Sequence, residues 1–546
     1  MRLPSAIPAL FLVSCGLPAA AAAPRSCQDL ASLMFENTTI ASAQLVAAGA
    51  FTPPAGTPEF PGSPGYKAVP AFCRVMADIR PSKDSDIKVE VWMPASGWNG
   101  KYQGQGNGGF AGSIDYRGLA ALVSRGYATA ATDTGHRGEA TDASWALGHL
   151  EKIVDFGYRG IHEMSEKAKA VITAFYGKAP QHSYFSSCSD GGREALMEAQ
   201  RFPDDYDGIV AGAPANFWTH LIAGAAWNNQ ATLRDPAGYL SSAKLPAISA
   251  AAVASCDAQD GLADGIISEP MQCHFDPAKL KCTGPESDNC LTDPQITALK
   301  KIYAGPRTSA GKQIFPGYVP GGELGPGGWG LWITGPAPRQ SLHFAFGTHF
   351  FSDMVFEDAG WDFRKFKVDE DTKLGDKKMA AILNATDPDL RRFRKRGGKL
   401  IIYHGWSDAA ISPINSIDYY ESVVARMGGE TKDFMRLFMA PGLQHCFMGP
   451  GPNSFGQALS GPQGDAEHDI SSAVERWVES GVAPEKIIAT KYVNDLDPGQ
   501  GVKMTRPLCP FPQVAAYNGT GSQNDARSFV CTDNDKANSS HGAQSK

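Results

Sequence analysis

The stretch His182-Ser183-Tyr184-Phe185-Ser186-Ser187-Cys188-Ser189-Asp190-Gly191-Gly192-Arg193-Glu194-Ala195-Leu196-Met197 constrains this chain more than any other. Its first residues read as a strand and its last as a helix. The chain must turn sharply between them, and Ser189 stands at the bend, the place where a nucleophile elbow carries its serine. The general elbow pattern is G-x-S-x-G; here Ser187 occupies the first glycine position and Cys188 precedes the serine. A strand running straight into a helix implies a parallel α/β sheet, and other segments fit. Lys88–Met93 alternates polar and apolar residues, Tyr127–Asp133 and Asp207–Pro214 read as buried strands, and 161–176 has helical spacing. Further strands follow at 399–405 and 436–442, each apolar on both faces and each leading into a loop.

Between residues 216 and 396 this alternation stops, giving way to Gly/Pro loops, four cysteines and many aromatics. The expectation is an α/β domain built from 24–215 and 397–533, with 216–396 inserted as a lid. The polar residues 534–546 read as a disordered tail. At the other end, Arg2, an apolar stretch from Ala6 to Leu17 and alanines 19–23 make residues 1–23 a secretory signal peptide, implying a secreted or periplasmic protein. Leu12-Val13-Ser14-Cys15 resembles a bacterial lipoprotein box, but the alanine sites that follow favour ordinary cleavage. No later segment offers the roughly 18 consecutive apolar residues of a membrane span. The net charge of −7, without a basic stripe, argues against a nucleic-acid partner. The oligomeric state cannot be read from the sequence.

Of the 11 cysteines, loss of Cys15 leaves ten, an even number that in an exported protein favours disulfides over zinc. Short separations suggest Cys27–Cys73, Cys256–Cys273, Cys282–Cys290 and Cys509–Cys531, which leaves Cys188 and Cys446. Connectivity is not fixed by spacing alone.

A serine becomes nucleophilic when a base takes its proton and a third group orients that base. In an α/β-hydrolase fold the order is Ser, acid, His, each on a loop after a strand. Asp408 follows the strand at 399–405, and His445 follows the strand at 436–442, so Ser189, Asp408 and His445 form the candidate triad. His136 precedes the serine, out of order, and His404 lies within a strand. Cys188 and Cys446 then adjoin the nucleophile and the base, and a bridge between them would hold the two loops together.

Cys-Ser-Asp-Gly-Gly-Arg-Glu at 188–194, His-Gly-Trp-Ser-Asp at 404–408 and His445-Cys446 together resemble the tannase/feruloyl esterase family of α/β-hydrolases. Matching stretches at 98–101, 201–203, 206–214 and 506–510 extend the resemblance over most of the chain from Cys27 to Cys531. It implies an esterase acting on small aromatic esters (feruloyl, galloyl or terephthalate monoester), with an oxyanion hole made by the backbone N–H groups of Asp190 and Gly109, and Gly108 beside it. Ser187 is tolerated in this family. The acidic loop Cys256-Asp257-Ala258-Gln259-Asp260-Gly261-Leu262-Ala263-Asp264-Gly265-Ile266 is not spaced as an EF-hand, and its residues alone leave a calcium loop and a solvated acidic turn both open. The resemblance implies a structural Ca²⁺ held by Asp257, Asp260, Asp264 and the carbonyls of Leu262 and Ile266. Among the lid aromatics Trp332 is the candidate pocket residue. Family members acting on terephthalate monoesters hold the free carboxylate with an arginine; Gln340-Ser341-Leu342-His343 has none aligned, and Arg339 is the nearest.

Overall fold

The structure, a computed structural model, describes residues 23–55, 57, 65–457 and 464–533. The expected signal segment except Ala23, Cys15 with it, and the expected tail lie outside the described residues.

Nine strands form one sheet in the order β1-β2-β3-β5-β4-β6-β7-β8-β9. They are β1 (Thr38–Val46), β2 (Phe72–Ile79), β3 (Ile87–Pro94), β4 (Lys101–Gly104), β5 (Ala128–Thr132), β6 (His182–Cys188), β7 (Gly208–Gly212), β8 (Lys399–Gly405) and β9 (Met435–Ala440). The pairs β1–β2, β2–β3 and β3–β5 are antiparallel. From β5 through β4, β6, β7 and β8 to β9 every pairing is parallel. Parallel neighbours need crossovers, supplied by α1 (Tyr116–Ser124), α2 (Gly160–Tyr176) and α3 (Asp190–Arg201) among others. Helices on both faces bury both sides of the central strands. Ile209, Ala211, Leu400 and Ile402 enter one apolar cluster, and the alternating Val210, Ile401 and Tyr403 enter another. This two-sided burial makes these strands read as continuous apolar runs.

The predicted strands are present with ends shifted by one or two residues, and 399–405 is matched at both ends. The edge strand β1 and its inner neighbour β2 were not anticipated. β1 shows an irregular mixture of exposed and half-buried positions, so no clean alternation marks it. Between β7 and β8 the chain adds no strand to this sheet. Its helices include α4 (Trp218–Leu233) and α5 (Leu342–His349). Trp218, Phe346 and Phe350 from this insertion pack in one shared cluster with Phe110, from a loop of the α/β part, and Phe156, from the helical turn before α2. Among the described residues no helix is long and apolar enough to cross a membrane.

The disulfides are Cys27–Cys73, Cys188–Cys446, Cys256–Cys273, Cys282–Cys290 and Cys509–Cys531. Four are the pairs that short separations suggested, the fifth joins the two cysteines left over, and all fit an oxidising compartment.

Candidate active site

Ser189 connects β6 to α3 with φ 68° and ψ −124°, a backbone conformation that L-residues rarely adopt. The turn is over-determined. The Ser189 N–H donates to the Gly212 carbonyl at 2.9 Å, and the Ser189 carbonyl accepts from the N–H groups of Gly192, Arg193 and Ala215. Close approach explains the glycines. A Cβ at Gly191 would lie 2.0 Å from Ser187 Oγ, and one at Gly106 would lie 2.8 Å from the same oxygen. Ser187 therefore fits in the glycine position because two glycines face its side chain.

His445 Nε2 lies 2.9 Å from Ser189 Oγ, and His445 Nδ1 lies 2.7 Å from Asp408 Oδ2. The predicted serine, histidine and aspartate thus form one continuous hydrogen-bonded chain. The Cys188–Cys446 bridge, with Cα atoms 6.0 Å apart across 258 residues of sequence, sits beside two of them. Asp408 Oδ1 accepts from the Ala410 and Ile411 N–H groups at 2.7 and 3.0 Å. Burial works to raise the Asp408 pKa. The charge on His445 and hydrogen bonds from His404 and His445 overcome it and hold the carboxyl below the ordinary range.

His404 is the neighbour that sequence reasoning passed over. It lies within β8 as expected, but its Nε2 is 3.1 Å from Asp408 Oδ2 and 3.2 Å from the Ile411 carbonyl. Two acceptors at Nε2 assign the proton there, so Ser416 Oγ–H donates to Nδ1 at 2.7 Å. A fully buried histidine in an apolar strand must find polar partners, and that requirement was the available signal. His136 instead donates from Nε2 to the Phe110 carbonyl at 2.7 Å and stacks on Trp145 at 3.7 Å. Burial pushes its pKa down to about 4, leaving it neutral.

Asn107, Gly108 and Gly109 belong to the loop after β4. The Asn107 carbonyl accepts from the Gly191 N–H at 2.8 Å, tying this loop to the start of α3. Gly109 has φ 60°, and a Cβ there would lie 2.2 Å from the Ala140 carbonyl oxygen. Only glycine suits that position. Asp190 opens α3, so its N–H is one of the helix's first four without an intrahelical acceptor. Its carboxylate accepts from Arg193 Nε at 2.6 Å.

The insertion reaches the base. The Trp332 ring meets the His445 ring edge-on at 4.9 Å and lies nearly parallel to Phe346 at 6.2 Å. Gln444, next to His445, donates to the Leu324 carbonyl and accepts from the Gly327 N–H. Arg339 is exposed, with its guanidinium over the Phe363 ring at 5.7 Å.

In the acidic loop, Asp257 accepts from the Gly265 and Ile266 N–H groups, and Asp260 accepts from Leu262. Asp264 pairs with Arg506 at 2.6 Å. Burial raises the Asp264 pKa, and the charges of Asp257 and Asp260 add to the rise. Three carboxylates within a short loop, of which Asp264 is paired with Arg506, are oxygen donors of the kind a hard cation takes. Among the described residues, the groups that bring three ligand atoms within 4.8 Å of one another are Asp142, His349, Asp353 and His162, Glu198, Asp205; the three aspartates of the acidic loop stand further apart.

Residues 73–532 match the family described as tannase and feruloyl esterase. The chain belongs to that family. An uncharacterized esterase of Xanthomonas campestris is 46% identical, with 94% of this chain and 92% of that protein covered. Mono(2-hydroxyethyl) terephthalate hydrolase of Piscinibacter sakaiensis is 34% identical, with 86% of each chain covered. The crystal structure of feruloyl esterase B from Aspergillus oryzae superposes with a TM-score of 0.84 at 30% identity, covering 93% of this chain and 99% of that one. The fold is accordingly that of this esterase family, an α/β-hydrolase-like sheet with an inserted segment.

Proposed function

We propose that this esterase is an exported serine hydrolase of aromatic carboxylic esters, with feruloyl or galloyl esters as substrates. The observation that carries the reading is the unbroken Ser189–His445–Asp408 chain, with its serine on a backbone turn of positive φ. Ser189 Oγ attacks the ester carbonyl while His445 Nε2 takes its proton. Asp408 fixes the Nδ1–H tautomer and stabilises the imidazolium. The Asp190 and Gly109 N–H groups receive the charge that develops on the carbonyl oxygen, the former with the dipole of α3 behind it. His445 returns the proton to the leaving alcohol, and water, deprotonated by the same base, releases the acid from Ser189. Trp332, edge-on to His445, forms one wall for the aromatic acyl group, and Gly108, with nothing within 4 Å of where a Cβ would stand, leaves open space beside Gly109.

The insertion acts as a lid in this reading. Its acidic loop holds Ca²⁺ through Asp257, Asp260, Asp264 and the Leu262 and Ile266 carbonyls. The ion, when bound, supplies positive charge that neutralises the loop and takes no part in acyl transfer.

A terephthalate monoester is the rival substrate, suggested by the Piscinibacter relative's name. Its free carboxylate calls for a cation, and Arg339 is engaged over Phe363. Rates on methyl ferulate, methyl gallate and mono(2-hydroxyethyl) terephthalate separate the three. Ser189→Ala is expected to lower kcat on the best of these esters by about 10⁴ or more with the thermal transition retained. Undiminished turnover in that variant overturns the triad, and absence of fluorophosphonate labelling at Ser189 in the parent would favour a non-catalytic binder of aromatics.

A further inference from the structure

Glu194 lies one turn into α3, 1% exposed, directly behind the loop that carries Gly108 and Gly109. Its Oε2 accepts from the Asn107 N–H at 2.8 Å, and a Cβ at Gly106 would lie 2.6 Å from that oxygen. The Asn107 carbonyl in turn accepts from Gly191 N–H. One side chain and the backbone N–H and C=O of one residue therefore close a ring between the loop and the helix start, the two elements that would supply the oxyanion donors.

The other carboxyl oxygen, Oε1, is buried without a hydrogen-bond partner among the described residues. The contrast with Asp408 is instructive. Asp408 collects four donors and remains an anion. Glu194 collects one, and burial, then the neighbouring Asp190 charge, push its pKa up to about 8. Its titratable neighbours are Asp190, Arg193 and Glu198, all on α3. Among the described residues, the neighbours that reach it from other elements are uncharged: Gly106 and Asn107 from the loop, with Ser187 of β6 beside them. The Arg193 charge only partly offsets this, since that guanidinium donates to Asp190 and to the Gly157 and Phe156 carbonyls and not to Glu194.

We propose that Glu194 is a positioning residue of the oxyanion hole: as a neutral acid it fixes the Asn107–Gly109 turn against α3, and loss of its proton sets a negative charge behind the donors and slows acyl transfer. This rests on the serine esterase reading above. A charge so placed opposes the oxyanion directly, because both act through the same low-dielectric space. Nothing in the proposed acyl-transfer scheme itself requires this carboxyl to titrate.

The test is the pH dependence of p-nitrophenyl acetate hydrolysis between about pH 6 and about pH 10, for the parent, Glu194→Gln and Glu194→Ala. Fluorophosphonate-reactive sites are counted first, and folding is checked by thermal melting. The parent should lose kcat on the alkaline side with a midpoint near 8. Glu194→Gln keeps the acceptor oxygen without a proton to lose, so its alkaline decline should vanish or move up by about one pH unit or more, with kcat at neutral pH within about tenfold of the parent. Glu194→Ala loses the acceptor and should lower kcat by about 10–100-fold with KM changed far less. The proposal is overturned if Glu194→Gln keeps the parent's alkaline limb, if the parent has none, or if Glu194→Ala matches the parent. Should the alanine variant not fold, the glutamine profile decides alone. Ser189→Ala, run alongside, separates the two readings: activity there defeats the serine mechanism, whereas an inactive Ser189→Ala with an unmoved Glu194→Gln profile defeats only the role of Glu194.

Discussion

At Ser187 a departure from the elbow pattern is resolved by its neighbours. Its hydroxyl occupies the space in front of Gly106 and Gly191, so the requirement for small residues has moved across the gap. Gly191→Ala would bring a methyl group to 2.0 Å from Ser187 Oγ and 2.8 Å from the Asn107 carbonyl oxygen. The expected cost is about 1–3 kcal/mol in a denaturation midpoint, with loss of activity because the elbow must shift. Ser187→Gly in the same chain removes the nearer clash and should restore most of both. If the double variant is no better than Gly191→Ala, the account of Ser187 is wrong. The same scale shows what a single sequence can carry. Ser189, Asp408 and His445 were legible because order and strand ends are written along the chain. His404 and Glu194 were not, because a polar residue inside a strand or helix reveals its partner only after folding.

Among the elements, those buried on two faces were the easiest to read. β7 and β8 sit inside the parallel sheet and β9 at its end, and their apolar runs follow from burial on both faces. α4 was not legible for a related reason. Ala223, Ala225, Ala226, Asn228 and Asn229 are all buried around it, so no polar face breaks the pattern that marks a surface helix. The Cys188–Cys446 bridge joins the end of β6 to the loop after β9, whereas Cys282–Cys290 closes only 8 residues within the insertion. The two bridges should therefore behave differently on removal. Cys188→Ala with Cys446→Ala is expected to cost about 2–4 kcal/mol and to lower kcat by about 10²-fold, through loss of alignment between Ser189 and His445. Cys282→Ala with Cys290→Ala should leave kcat near the parent value. Equal effects of the two pairs on kcat would reduce the active-site bridge to a general staple.

Over the whole molecule, insertion and α/β part are joined by an apolar cluster and by polar ties that include Gln444 bound to Leu324 and Gly327, and Arg506, in the strand Val502–Leu508, bound to Asp264. The acidic loop sits on the second of these ties, so its charge state should be felt in global stability. Asp264 has a folded pKa raised by burial and by Asp257 and Asp260. A carboxyl raised in the folded state contributes stability that is fully present below its unfolded pKa and is lost as pH rises through the folded value. Metal-free protein should therefore lose stability from this group as pH climbs through and above the ordinary carboxylate range. Bound Ca²⁺ removes that penalty by favouring the anion. The melting temperature difference between Ca²⁺-loaded and chelator-treated protein is thus expected to be small near about pH 4 and larger at about pH 7. At a hundredfold excess of Ca²⁺ over its Kd the gain is about 2.7 kcal/mol, a shift of a few degrees for a chain of this size. Asp257→Ala should abolish the difference at both pH values, while Mg²⁺, which demands a tighter octahedral shell, should restore little of it. A melting temperature unmoved by chelation at neutral pH would return the loop to a solvated acidic turn held by Arg506 alone.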